Sequence, residues 1–142
     1  MHSLTTDQTE MLCLLVDEAP HVLEGRTYVQ KLMFLFQREA DENWFTFEPY
    51  DYGPFSRKLY KTLDVCIDRE YVTERTEEDE DGCIRYHYEP GPAIDDVLDQ
   101  GGNEGLRDVL AGVFDEYPTT DLHELVKNVY SDYPAMARNS VY

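Results

Sequence analysis

Apolar residues recur along this chain first with a helical period, then with an alternating one, then with a helical one again, and those changes predict its elements. Met11, Leu12, Leu15 and Ala19 form a stripe with the 3.6-residue period, opened by Asp7 with Glu10 three residues on and closed before Pro20. After the Glu24-Gly25 turn, Thr27 is placed to cap a second helix in which Val29, Leu32, Met33, Phe36 and Ala40 keep the period. Tyr28, Phe34 and Leu35 add apolar surface on its other faces, and a helix apolar all round belongs in the middle of a fold. Phe45, Phe47 and Pro49 alternate with Thr46 and Glu48, which predicts a short strand or extended edge segment, the proline barring it from a central position. Pro54 is expected as the first residue of a third helix. There Phe55, Leu59, Leu63, Cys66 and Ile67 share one face, while Arg57 and Lys61 project from the opposite one with Lys58 at its edge.

Two strands follow, Tyr71 to Thr76 and Cys83 to Tyr88, joined by an acidic stretch whose Asp81-Gly82 is a hairpin-turn signal. The last third is helical again. Ile94, Val97 and Leu98 make a short stripe before Gly101-Gly102; Leu106, Val109, Leu110, Val113 and Tyr117 make another before Pro118; Leu122, Leu125, Val126, Val129 and Tyr130 make a third before Pro134. The order helix, helix, short strand, helix, hairpin predicts a mainly α fold with a small β-hairpin. It is the order of a winged helix-turn-helix over residues 1–90, with a helical C-terminal extension over 91–142 in the same single domain. Three one-sided helices each need a partner surface, supplied either by the core or by a second copy; the expectation is a homodimer.

Charge changes the picture. Thirty acidic residues against twelve basic ones give a net charge of −18 in a chain that is still 42% apolar. Disorder needs low hydrophobicity as well as high charge, and the periodicity is strong throughout. Such an acidic, lysine-poor composition suits a cytoplasm with molar salt, where the Debye length falls to about 3 Å and self-repulsion is screened. Net charge then ceases to exclude nucleic acid as a partner. The longest apolar run, Met11 to Val16, is six residues, and Met1-His2-Ser3 opens no apolar leader, so a cytoplasmic protein without a membrane partner is expected. Cys13, Cys66 and Cys83 show no CxxC spacing, and the four histidines do not fall at i, i+4 with one another or with a cysteine; no metal site or cofactor is expected. Without a nucleophile elbow, phosphate loop or HExxH, an enzyme is not expected either.

Candidate chemistry concentrates at one place. From Tyr52 to Leu63 there is no acidic residue, while Arg57, Lys58 and Lys61 supply three of the twelve basic side chains. A helix carrying them suits phosphates or base edges in the major groove of double-stranded DNA, with Ser56 adding a hydroxyl at the helix start. The plainer alternative is a set of solvated bases, with Lys61 near Asp64. In the hairpin Arg75 and Arg85 are the candidate phosphate contacts, opposed by Glu74 and by the acidic run Glu77 to Asp81, which reads as solvated surface or as a site for a basic protein partner. Tyr50, Asp51, Tyr52, Gly53, Pro54 and Phe55 read as an architectural strand-to-helix junction; the alternative is a small aromatic pocket at a helix N-terminus, suited to a peptide or an anionic group.

The runs Gln30-Lys31-Leu32-Met33-Phe34-Leu35, Tyr50-Asp51-Tyr52-Gly53-Pro54-Phe55-Ser56 and Val129-Tyr130-Ser131-Asp132-Tyr133-Pro134, with Leu59-Tyr60 and Leu63, resemble the YwgA-like family of small prokaryotic proteins over nearly the whole chain. More distantly they resemble the Panacea domains of antitoxins, through the Lys-Leu helix followed by Gly-Pro. The resemblance implies a winged-helix fold and a cytoplasmic setting, and brings no catalytic residues. The acidic hairpin tip departs from a wing that touches phosphate. The residues thus lead to two expectations: a DNA-binding transcriptional regulator, or a protein-interaction module of antitoxin or adaptor type that keeps the fold as scaffold.

Overall fold

A computed structural model describes residues 4–50, 53–99 and 103–137. Among them the chain is mainly helical with a small antiparallel sheet. The elements are α1 (Leu4–Glu18), β1 (Leu23–Glu24), α2 (Arg26–Glu39), β2 (Glu48–Tyr50), β3 (Gly53–Phe55), α3 (Arg57–Asp68), β4 (Val72–Glu78), β5 (Ile84–Pro90), α4 (Asp95–Leu98), α5 (Glu104–Glu116) and α6 (Leu122–Asp132), ending in a 3₁₀ turn, Pro134–Ala137. No helix among the described residues is long and apolar enough to cross a membrane.

α2 lies at the centre, as its all-round apolar surface predicts: every residue from Tyr28 to Gln37 is buried. α1 is just as enclosed from Met11 to Val16, because α2, α3, α4, α5 and β5 pack around it. One hydrophobic cluster joins residues of α1 through α6. The C-terminal stripes fold back onto it, α5 against α1 and α2 and α6 against α2, burying Leu110, Val113, Leu125, Val126 and Val129. Arg107 of α5 holds Asp17 (3.0 Å) and Glu18 (2.8 Å), two carboxylates at the disfavoured C-terminal end of α1. Tyr28 donates to the Thr119 carbonyl at 2.7 Å. The partner surface those stripes require is therefore inside the same chain, and the argument for a homodimer from unpaired helices loses its premise.

The sheet has the order β1-β5-β4, all antiparallel. Two residues, Leu23↔Tyr88 and Glu24↔His87, suffice to add β1, a strand too short for any sequence period to reveal. Leu23, Tyr88 and Val72 are buried at the base, whereas Ile84 (57% exposed) and Tyr86 (43%) project with the far end of the hairpin. β4 runs two residues further toward the tip than the alternation predicts, to Glu78 opposite Ile84, whereas β5 begins one residue later than expected and runs on to Pro90. The turn is a longer loop over 79–83 in place of a two-residue one. There Asp79 Oδ1 accepts from the N–H of Asp81 and of Cys83, and Gly82 takes φ 81°.

The largest departure lies between α2 and α3. Pro54 does not open the helix; it sits in β3, paired across from Pro49 of β2. Two prolines face each other without loss because neither has an N–H, which places them at the non-hydrogen-bonded position of the antiparallel ladder. The helix starts three residues later, with Ser56 as its N-cap accepting from Leu59 N–H. Asp51 and Tyr52 lie outside the described residues.

Candidate nucleic-acid interface

The start of α3 is positioned by α2 through side chains that sequence reasoning did not single out. Gln30, 2% exposed, donates to the Ser56 carbonyl and accepts from the Ser56 N–H, both at 2.8 Å, so one amide imitates a β-strand partner. About two turns further along the same helix, Gln37 does the same for Phe45, at 2.9 and 3.0 Å, and Gln8 of α1 donates to the Trp44 carbonyl at 2.9 Å. The long excursion between α2 and α3 is thus clamped at both ends by buried amides, whose cost of burial is met only because each pairs with backbone.

Lys31 adds a third tie from α2, its Nζ donating to the Pro54 carbonyl at 2.8 Å. Gly53, at φ 99°, is required beside it: a Cβ there would stand 3.1 Å from Lys31 Cε and 3.6 Å from Val126. Phe34 meets Phe47 and Tyr133 edge-on, with centroids 5.4 and 5.2 Å apart. The three sequence runs around residues 30, 54 and 133 therefore converge in space, and most of the Tyr50–Phe55 segment serves architecture.

Burial pulls the Lys31 ammonium down to about 7. Between that value and its ordinary 10.5 the unfolded chain binds a proton that the folded one lacks, so stability rises with pH across the window and is constant below it. The buried thiols of Cys13 and Cys66 shift in opposite senses, Cys13 up and Cys66 down, chiefly through their mutual hydrogen bond. The Tyr28 hydroxyl, pushed up to about 12 by burial, opposes the trend only above its unfolded value near 10. The unfolding free energy from urea titrations should rise by about 3 kcal/mol between about pH 7 and 9.5 in the native chain and by much less in Lys31→Met.

The face of α3 turned away from Leu59, Leu63 and Cys66 carries the basic island. Arg57, Lys58 and Lys61 are all exposed, and none forms an ion pair among the described residues. Asp64, the expected neighbour of Lys61, is taken instead by Arg26 at 2.7 Å. Arg26 also reaches Glu74 (3.2 Å) and the Tyr88 hydroxyl (3.1 Å), and lies 4.6 Å over the Tyr60 ring. Burial disfavours its charge, but the bonds to Asp64 and Tyr88 outweigh burial and raise its pKa. It pins α2, α3 and β4 together through partners 38 and 48 positions away, and no local signal betrays it.

The other site expectations fare differently. Ser56 is 1% exposed and its hydroxyl is used by the cap, so it offers no surface contact. Arg75 is held by Glu89 at 2.9 Å, and Arg85 by Glu24 at 3.2 Å and Asp79 at 3.7 Å. Both hairpin arginines are neutralised within the sheet and are withdrawn as free phosphate contacts. Of the candidate cations named from the sequence, those of α3 stay out of any ion pair among the described residues.

Beside them lies a groove of about 730 Å³ whose lining includes Gln8, Trp44, Glu48, Tyr50, Phe55, Arg57 and Lys58. Two cations in the first turn of α3 oppose its dipole at a cost of about 0.3–1 kcal/mol each, and no acid in that turn relieves them. An anion placed there removes the conflict. No family model, curated protein or solved structure matches this chain.

Proposed function

We propose that the chain is a DNA-binding winged-helix protein, a transcriptional regulator of a salt-rich cytoplasm, in which α3 enters the major groove. The order α1-β1-α2-α3-β4-β5 with a β1-β5-β4 sheet supports the winged-helix reading, the short β2-β3 hairpin being an insertion between the second and third helices. The observation that carries the function is the row Arg57, Lys58 and Lys61, exposed and unpaired among the described residues on a helix otherwise anchored by buried contacts. Contact is short-range: with a Debye length of about 3 Å in molar salt, only charges that touch phosphate contribute. The acidic hairpin plays no part in it. Two copies on a two-fold DNA site belong to the same proposal, joined by a surface other than the C-terminal stripes.

A second reading, a protein-interaction module, is favoured by one feature. Ile84 and Tyr86 stand exposed on the hairpin beside its acidic loop, a surface suited to a partner with basic and apolar groups. Selection of duplexes from a random pool by the full chain in molar KCl separates the two. Recovery of a common sequence is the expected result. Failure to enrich any duplex, with a basic protein co-purifying in stoichiometric amount from the native cell, contradicts the DNA reading.

A further inference from the structure

We propose that the open edge of β5, near the tip of the hairpin, takes up an extended basic segment of a partner protein as an added strand. This deepens the second reading, on which it rests, and is independent of DNA contact.

β5 is a central strand for only part of its length. β1 ends at Glu24; the Gly25 N–H still donates to the Tyr86 carbonyl at 2.8 Å, and the chain then turns away into α2. On the other side the pairing with β4 continues to Ile84. The direction of the Ile84 backbone follows from the alternation of an antiparallel ladder. Asp79 N–H donates to the Cys83 carbonyl at 2.9 Å, so 79 and 83 are a bonded pair and Ile84, opposite Glu78, belongs to a non-bonded one. The N–H and C=O of Ile84 therefore point away from β4, into the lane that β1 has left, and neither has a backbone partner among the described residues. A donor and an acceptor presented in this way are a template for one more strand.

The surroundings of that edge define the occupant. Ile84 and Tyr86, two positions apart, lie on one face of the sheet, both exposed. A groove of about 500 Å³ runs beside them, its lining including Gly25, Asp121 and Leu122 as well. Glu78 stands directly across the ladder from Ile84, and Glu78, Glu80 and Asp81 form no ion pair among the described residues. Arg85, on the same groove, is already spent on Glu24 and Asp79. A residue added opposite Ile84 sets its side chain on the face of Ile84 and Tyr86, and the residue two positions nearer the tip lies toward the free carboxylates. The matching segment thus carries an apolar residue with a lysine or arginine two positions away. A second copy of the chain is a poor occupant, since each copy has a net charge of −18.

Fluorescence anisotropy of a labelled, end-blocked heptapeptide titrated with the full chain tests this in molar KCl, where attraction beyond contact range is screened. The peptide has valine at its centre, lysine two positions to either side and threonine elsewhere. It is expected to bind one per chain, at least about tenfold tighter than the same peptide N-methylated at the valine and both lysines, which offers the edge no N–H. It should also bind about fivefold tighter than the version with glutamate for lysine. Ile84→Pro removes an N–H that the ladder to β4 does not use, at the first residue of the strand, where proline is tolerated. Ile84→Lys keeps that N–H and reverses the charge match. Each variant should weaken binding by about fivefold or more. Absence of saturable binding, equal binding of the N-methylated peptide, or indifference to both variants overturns the proposal. So does self-association of the chain that Ile84→Lys abolishes, because a second copy then covers the edge. A basic protein that co-purifies with the chain and stays bound to both variants overturns the edge as docking site and leaves the interaction reading in place, so the two fail separately.

Discussion

Reversing two charges, Arg57→Glu with Lys61→Glu, should abolish recovery of DNA by the full chain in molar KCl, a loss of at least about 100-fold in affinity. Each substitution removes a phosphate contact and places a carboxylate against the backbone, and the two side chains lie one turn apart on the same exposed face of α3. The fold should not suffer. Neither cation forms an ion pair among the described residues, and glutamate at position 57 suits the helix N-terminus better than arginine does, by about 0.5–1 kcal/mol. Lost affinity with an unchanged or slightly raised melting temperature is the signature of a surface kept for a ligand at some cost to stability. Retained DNA binding in the folded double variant, read by fluorescence anisotropy, overturns the role given to α3.

Gln30→Leu should be the most damaging single change to the scaffold. It removes both 2.8 Å bonds to Ser56. The Ser56 carbonyl keeps Tyr60 N–H as a donor, but the Ser56 N–H is left buried and unpaired. Two lost bonds and one orphaned donor cost about 3 kcal/mol, or roughly 10 °C in melting temperature for a chain of this size. Ser56→Ala, which loses only the cap, should cost about 1 kcal/mol. Thermal unfolding of the two variants checks the ranking. Equal shifts would mean that the amide clamp does not set where α3 begins.

The helices were legible because their cause is local: the stripes of α1, α2, α5 and α6 are written in consecutive residues, and burial follows them. The exposed placement of Arg57 and Lys61 was legible for the same reason, since about 100° per residue separates them from Leu59 and Leu63. What escaped reading depends on partners distant in the chain. β1 exists because two residues find Tyr88 and His87 more than sixty positions away. Pro54 sits in a strand because Pro49 faces it and Lys31 holds its carbonyl. Arg75 and Arg85 stand among many acids in the sequence, but which of them hold the two arginines, Glu89, Glu24 and Asp79, is decided only once the strands pair. The clamp residues left one sequence signal, Gln30-Lys31 and Gln37 within an otherwise apolar helix, where polar side chains at buried positions imply backbone partners.

The central claim is that DNA meets α3 and not the hairpin, and a crosslink reports it most directly. A photoreactive residue in place of Lys61, and separately in place of Tyr86, is introduced into the full chain and irradiated with a selected duplex in molar KCl. Position 61 should crosslink to DNA and position 86 should not. Crosslinking from 86 alone, or no duplex captured from either position, would contradict the account.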